Sequence, residues 1–301
     1  MKKVLVMMSS YNGKKYIRAQ MKSILEQKGA EVHLLVRDDG STDGTADILR
    51  NYCQRNQRTE WYCGRNQGPE ESFMDLIHRA GESEYYAFSD QDDYWMPHKL
   101  YRALTFLKNA DPDIPAMYHC NYFMSDENLK IISRSRKMTY VSSTLKKAFV
   151  SSNATGCTMV FNNRLLECLK KKKPAFPIMH DGWAHKVCIA LGGSVFYDPR
   201  PCIVYRQHDG NVIGGRESLM SRMAQHMHTL LENPGYRSRV IRELYRLYGD
   251  DMTNENKKIC REIIHYAKGI NRLKLISDRE YSTGNLRVDL TFLGAVLLGV
   301  C

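Results

Sequence analysis

The chain has 301 residues, enough for one large domain or one domain with an appendage, and is 43% hydrophobic, 10% aromatic and 26% charged, as an ordered globular protein is. A net charge of +11 points to an anionic partner: nucleic acid, a membrane surface or a phosphorylated ligand. There is no RNA-recognition signature, zinc-finger spacing or convincing helix-turn-helix, so no nucleic-acid partner is expected, and a diphosphate ligand with a membrane surface accounts better for the charge. Nine scattered cysteines without a C-x-x-C pair imply reduced thiols in the cytosol. Met1-Lys2-Lys3 runs straight into a short apolar stretch, so no signal peptide is expected, and no apolar run is long enough to span a bilayer.

The first hundred residues alternate strand and helix patterns. Lys3 to Met8, Val32 to Val36, Glu60 to Cys63 and Tyr85 to Phe88 read as strands. Tyr16 to Gln27, Thr45 to Tyr52, a segment opened by Pro69-Glu70-Glu71, and His98 to Leu107 read as helices. Repeated βα units predict an α/β fold with a mostly parallel sheet, whose ligands bind beyond the carboxyl ends of the strands. Ala116 to Asn121, Thr155 to Phe161, Ser194 to Tyr197 and Ile203 to Tyr205 are further strands, and Trp183 to Ala190 a helix. From Arg216 to Lys274 the pattern is helical and basic, with 12 Lys or Arg against 7 Asp or Glu, and Leu290 to Cys301 is almost wholly apolar. The expected division is a catalytic domain over 1–215, its halves 1–111 and 112–215, and a helical extension over 216–301. The apolar end is too short to cross a bilayer. It either lies on an anionic membrane or packs on the protein.

Asp90, Asp92 and Asp93 directly follow the strand Tyr85 to Phe88. Carboxylates crowded at a strand end repel unless a cation or a donor-rich ligand sits among them, and Mg²⁺ or Mn²⁺, shared with substrate phosphates, suits oxygen ligands. A solvated acidic loop is the plain alternative. Ser9 to Gly13 and Arg37 to Ser41 end two other strands, so three polar loops converge on one edge.

Ser-Ser-Tyr-Asn-Gly at 9–13, Arg-Asp-Asp-Gly-Ser-Thr-Asp-Gly-Thr at 37–45, Asn-Gln-Gly at 66–68 and Asp-Gln-Asp-Asp-Tyr-Trp at 90–95 together resemble the family 2 glycosyltransferases of the GT-A fold. The last motif is similar to that of the bacterial rhamnosyltransferase branch. The resemblance covers about residues 3–215. It implies a GT-A, Rossmann-like nucleotide-sugar-binding domain and an inverting, metal-dependent transfer from a nucleotide-diphosphate sugar, dTDP-L-rhamnose before UDP-glucose, UDP-galactose or UDP-N-acetylhexosamines. The acceptor is then a saccharide or lipid-linked saccharide of a bacterial surface polysaccharide, and the enzyme works in the cytoplasm or on the inner face of the cytoplasmic membrane.

Residue by residue, the resemblance puts Ser9, Ser10, Tyr11, Asn66 and Gly68 at the donor nucleotide. Asp39 accepts a hydrogen bond from the base, Asp38 shapes that pocket, and Asp90 faces the ribose or a metal-bound water. Asp92 ligates the metal together with His208, and Arg206 lies beside the diphosphate. Asp181 of His180-Asp181-Gly182-Trp183 is the general base, with His180 and Trp183 toward the acceptor.

Each role has a plainer counterpart. Asp39 is also a turn former, Asp181 can cap a helix, His208 can be a surface loop histidine, and His180 and Trp183 can simply pack. Two other enzyme types fit worse. A haloacid-dehalogenase-type phosphatase needs a nucleophilic Asp where Ser41 stands. A sugar nucleotidyltransferase needs a basic Gly-rich loop where Ser9 to Gly13 stands. A non-catalytic nucleotide-binding scaffold of a polysaccharide assembly complex remains the alternative outside catalysis.

Overall fold

The computed structural model describes residues 1–134, 141–208, 233–266 and 270–301. Its N-terminal half is a run of βα units: β1 (Lys2–Ser10), α1 (Ile17–Leu25), β2 (Ala30–Asp38), α2 (Thr45–Arg55), β3 (Thr59–Cys63), α3 (Gly68–Arg79) and β4 (Tyr85–Ser89). Short β5 (Tyr94–Trp95) and α4 (Lys99–Leu107) follow. β1 pairs in parallel with β2 on one side and β4 on the other, and β2 with β3. The order β3-β2-β1-β4 therefore reverses direction beside β1, the topological switch point at which such sheets bind ligands.

Register brings the strand ends level. Ser10 pairs with Asp38, Asp38 with Cys63, and Met8 with Ser89. The loops after β1, β2, β3 and β4 consequently leave the sheet at one edge. β1 is buried on both faces, which is why it reads as a continuous apolar run. Val4, Val6 and Met8 face Ile17, Met21 and Leu100, while Met7 faces Phe73, Ile77 and Phe88 on the opposite side.

Beyond β4 the sheet becomes mixed. β6 (Ala116–Ser125), β7 (Ile131–Arg134), β8 (Val160–Asn162) and β9 (Ser194–Arg206) extend it, with β8 antiparallel to β4 and β6, and β6 parallel to β9. The expected parallel sheet thus holds for the first four strands. Two segments differ from expectation. The stretch from Thr155 is not a strand at first. Gly156–Thr158 forms a 3-10 turn, fixed by Thr158 Oγ1 donating to Thr155 O at 2.6 Å, and the strand begins only at Val160. The two strands expected at 194–205 are one, with its register shifted opposite Cys120 to Tyr122. Pro199 and Pro201 break the apolar pattern there, but buried Asp198 anchors the kink by accepting from Arg102, Arg200 and Tyr118.

α5 (Leu145–Val150), α6 (Asn163–Lys171) and α7 (His180–Ala190) cover one face of the sheet. α8 (Tyr236–Tyr248), α9 (Asn254–Ile264), α10 (Ile270–Ser277) and α11 (Leu286–Leu298) pack onto that layer and share its core. The chain's end is docked, with Cys301 N donating to Tyr266 Oη at 3.0 Å and Ser238 Oγ donating to Cys301 O at 2.7 Å. No helix among the described residues is long and apolar enough to cross a membrane. All nine cysteines are free thiols, seven of them buried.

Candidate active site

Gln91 sits between the two outer carboxylates of the β4 loop and ties that loop to β1. Its Oε1 accepts from Ser10 Oγ at 2.9 Å and from Tyr11 N at 3.0 Å, and its Nε2 donates to Tyr11 O at 2.8 Å. Asn12, in left-handed backbone geometry at φ 48°, takes Ser41 Oγ as acceptor for its amide and accepts from Thr42 N at 2.9 Å. Asp38 closes the β2 loop by accepting from Ser41 N at 3.0 Å and Ser41 Oγ at 2.5 Å. Asp38 therefore shapes the loop from beneath and is fully buried.

Asp39 is almost as buried, and its carboxylate is already engaged. It accepts from Arg37 Nη1, from Gln67 N at 3.1 Å and from Gly68 N at 3.0 Å. Arg37 reaches on to Ser72 Oγ at 3.0 Å and to Asp75 at 3.0 Å. Ser72 Oγ lies 2.6 Å from Ser9 Oγ, so Ser9 joins the same network. A base N–H reaching Asp39 would add to these donors. Gly68 has φ +83°, which only glycine adopts without strain, and as the first residue of α3 it aims its amide at Asp39. Asn66 and Tyr11 are exposed on the loop tips.

The acidic cluster is tightly packed. Burial, and after it the charges of Asp92 and Asp181, push the Asp90 carboxyl up to about 7. Asp93, 1% exposed, is pushed up further by burial and by Asp92 and Asp90. Asp90, Asp93 and the Cys157 thiol have their ligating atoms within 4.8 Å of one another. That trio is a poor fit to Mg²⁺ or Mn²⁺, because burial holds the Cys157 thiol protonated and thiols suit softer ions. Asp92 and His208 fit better. His208 Nε2 lies 2.8 Å from Asp92 Oδ2, both groups are partly open to solvent, and Asp90 stands beside them with a charge in need of a cation. Asp209, Gly210 and Asn211, which follow His208 directly, lie outside the described residues.

Arg206, expected beside the diphosphate, is built into the acidic loop. It is 5% exposed, its Nε donates to Asp92 O at 2.7 Å, its Nη1 donates to Glu127 O, and its guanidinium lies 4.5 Å from the Tyr16 ring. It thus fixes the end of β9 against the acidic loop and places His208, whose ring is 4.9 Å from the same tyrosine.

Asp181 lies in the first turn of α7, beyond its N-cap Met179. Its Oδ2 accepts from Gly156 N at 3.1 Å and its Oδ1 from Gly182 N at 2.6 Å. Its charge is close enough to raise Asp90, so the α7 carboxylate faces the acidic loop. His180 is buried, stacked on Phe73 at 3.6 Å with both ring nitrogens unpartnered among the described residues, and burial draws it down to about 4. Trp183 does not belong at the acceptor. It is wholly buried and packs on Tyr248, because two residues of helix after Asp181, about 200° of rotation, turn it to the opposite face and into the core.

Three residues of the site were given no role by the sequence reading. Gln91 and Arg37 are inside the quoted motifs, and their place between Asp90 and Asp92 and directly before Asp38-Asp39 was the available signal. Lys99 carries no such signal. It is fully buried, donates to Cys157 O at 2.8 Å, lies over Trp95 at 3.1 Å, and burial lowers it to about 8, so a cation sits behind the acidic loop.

The dTDP-rhamnosyl transferase RfbG of Shigella flexneri is 27% identical over 262 residues, covering 82% of this chain and 86% of the relative. The putative teichuronic acid biosynthesis glycosyltransferase TuaG of Bacillus subtilis is 36% identical over 105 residues, 35% of this chain and 41% of that protein. Among solved structures, S. aureus TarS 1-349 in complex with UDP-GlcNAc superposes with a TM-score of 0.59 at 19% identity, covering 100% of this chain and 82% of that one. The mannosyltransferase PcManGT of Pyrobaculum calidifontis, in complex with GDP-Man and Mn²⁺, gives 0.53 at 18% identity, covering 98% and 79%. The fold is accordingly the GT-A fold. The model of glycosyl transferase family 2 matches residues 5–170, more than half of the chain, which therefore belongs to that family.

Proposed function

We propose that the chain transfers a sugar, L-rhamnose from its dTDP donor, to a saccharide or lipid-linked saccharide acceptor with inversion at the anomeric carbon. The observation that carries this reading is the facing of two carboxylate sets: Asp181 from α7 accepts from Gly156 N at 3.1 Å, and the next residue, Cys157, has its thiol within 4.8 Å of the Asp90 and Asp93 carboxylates of the β4 loop. A nucleotide-diphosphate sugar has a place between them, with its nucleotide over the loops of Ser9 to Tyr11, Asp38, Asp39, Asn66 and Gly68. The rhamnosyl relative, similar over most of both chains, supports the choice of donor.

In the reaction the bond from the anomeric carbon to the diphosphate oxygen breaks, and a bond from the acceptor oxygen forms on the opposite face. The acceptor proton passes to Asp181, which the amides of Gly156 and Gly182 hold in place. The electron pair leaves with the diphosphate, which is already an anion, so a second carboxylic acid is unnecessary. Mg²⁺ or Mn²⁺, held by Asp92 and His208, supplies positive charge beside the departing diphosphate when bound. The free thiols fit a reducing, cytoplasmic setting.

The test is a donor panel of dTDP-rhamnose, UDP-glucose, UDP-galactose, UDP-N-acetylglucosamine and GDP-mannose, each with and without Mn²⁺. Thermal shift and slow release of nucleotide diphosphate are the readouts. A metal-dependent response to dTDP-rhamnose is expected. A response to a UDP-sugar instead would reassign the donor in the direction of the UDP-GlcNAc-binding neighbour. Binding without turnover by any donor, even with acceptor extracts, would favour a scaffold.

A further inference from the structure

We propose that the outer face of α11, with the adjoining part of α10, docks onto an anionic lipid bilayer. α11 has two apolar faces. Phe292, Ala295 and Val296 enter the core, where Phe292 lies against Phe149 and Tyr281. On the other face Leu286, Leu290, Leu293 and Leu297 recur at i, i+4, i+7 and i+11, which is one stripe along a helix. Leu286, Leu290, Leu297 and Leu298 are between 56 and 74% exposed, and Leu273 on α10, which packs against α11, is 65% exposed. Five leucines grouped on one side of a protein are more than the scattered apolar residues of an ordinary surface.

The charges around the stripe identify the occupant. Lys274, Arg279 and Arg287 are exposed and make no ion pair among the described residues. Three of the acidic residues nearby are engaged, while Glu255 and Glu262 share with Lys274 the hollow beside α10, which leaves Arg279 and Arg287 as the cations at the stripe. Lys146 takes both Asp278 and Glu280, and Asp289 accepts from Ser282 Oγ, Thr283 N and Thr283 Oγ1. An apolar stripe edged by unpaired cations matches the boundary between acyl chains and anionic headgroups. α11, at 13 residues, is too short to span a bilayer, so it lies in the interface, held by its buried face. This inference rests on the surface and not on the donor assignment.

The experiment is flotation of the full chain with vesicles of phosphatidylglycerol and phosphatidylethanolamine, and with neutral phosphatidylcholine vesicles. Wild type should float with the anionic vesicles. Leu290→Glu/Leu297→Glu should bind about ten-fold less or weaker, and Arg279→Glu/Arg287→Glu should lose binding as salt screening does. Because these side chains point outward, melting temperature and donor-dependent nucleotide release should stay at wild-type levels, which separates this test from that of the donor site. Absence of flotation, or leucine variants that float like wild type, overturns the proposal. Equal binding to neutral vesicles overturns the anionic partner. A dimer that dissociates in the leucine variant without any flotation shows that a second copy covers the face, and overturns it as well.

Discussion

His208 and Asp92 are 116 residues apart in sequence, and His208 Nε2 lies 2.8 Å from Asp92 Oδ2. Arg206 creates this meeting by donating to the Asp92 carbonyl, so the end of β9 and the acidic loop are held as one unit. Asp92→Asn and His208→Ala should each abolish the Mn²⁺-dependent part of the donor thermal shift and lower turnover by roughly 10²-fold or more. The check is isothermal titration of Mn²⁺ with the diphosphate nucleotide, alongside turnover. Wild-type metal response in either variant would remove that residue from the metal site.

Asp181→Asn keeps an acceptor for the Gly156 amide and removes the base. Transfer should fall by roughly 10²- to 10⁴-fold while donor affinity and melting temperature hardly change. Single-turnover kinetics with donor binding measured separately will show it. A loss of stability with chemistry intact would make the carboxylate a helix-turn anchor only.

Asp39→Ala should destabilise the fold by roughly 3 kcal/mol, because it strips a buried partner from Arg37 and leaves the amides of Gln67 and Gly68 without their acceptor. Asp75 still holds Arg37 Nε, so folding should survive. Donor binding should weaken with the loosened loop. Urea unfolding and nucleotide titration are the measurements.

Acid should weaken the protein through its buried histidines. Burial holds His119 near 4, His180 near 4 and His185 near 3, whereas an unfolded histidine titrates near 6.5. Below 6.5 the unfolded chain takes protons that the folded one refuses. Their contribution is therefore present above pH 6.5 and lost as pH falls, by roughly 2 kcal/mol per ring between 6.5 and 5. Asp90 runs the other way. Its raised pKa gives stability at low pH that is lost as pH rises through about 7. The difference between wild type and His119→Phe isolates one ring, since both nitrogens of His119 lack partners. The variant should be more stable at pH 5, and an unchanged pH slope would refute the assignment.

Sequence alone determined the βα alternation, the strand ends and the polar loops, because apolar periodicity and turn residues are local properties of the chain. It therefore located Asp39, Asp90 and Asp92 at strand ends, where the register of β1, β2 and β4 then gathers their loops at one edge, whereas Asp181 was singled out by the family resemblance. Gly156–Thr158 was misread as strand because its conformation is set by what it touches, the Asp181 carboxylate, and not by its β-like composition. Only the tertiary structure decided that Trp183 enters the core while the Asp181 carboxylate reaches the Gly156 amide. Both lie on one short helix, and its rotation against the sheet is fixed by packing on Tyr248 and Phe73. The same holds for Lys99, whose burial beneath the acidic loop no spacing announces. In Leu290 to Cys301 composition supplied the apolar content, and packing chose which side of the helix stays outside. That choice depends on partners far away in sequence, such as Phe149 and Tyr266, which a local pattern does not encode.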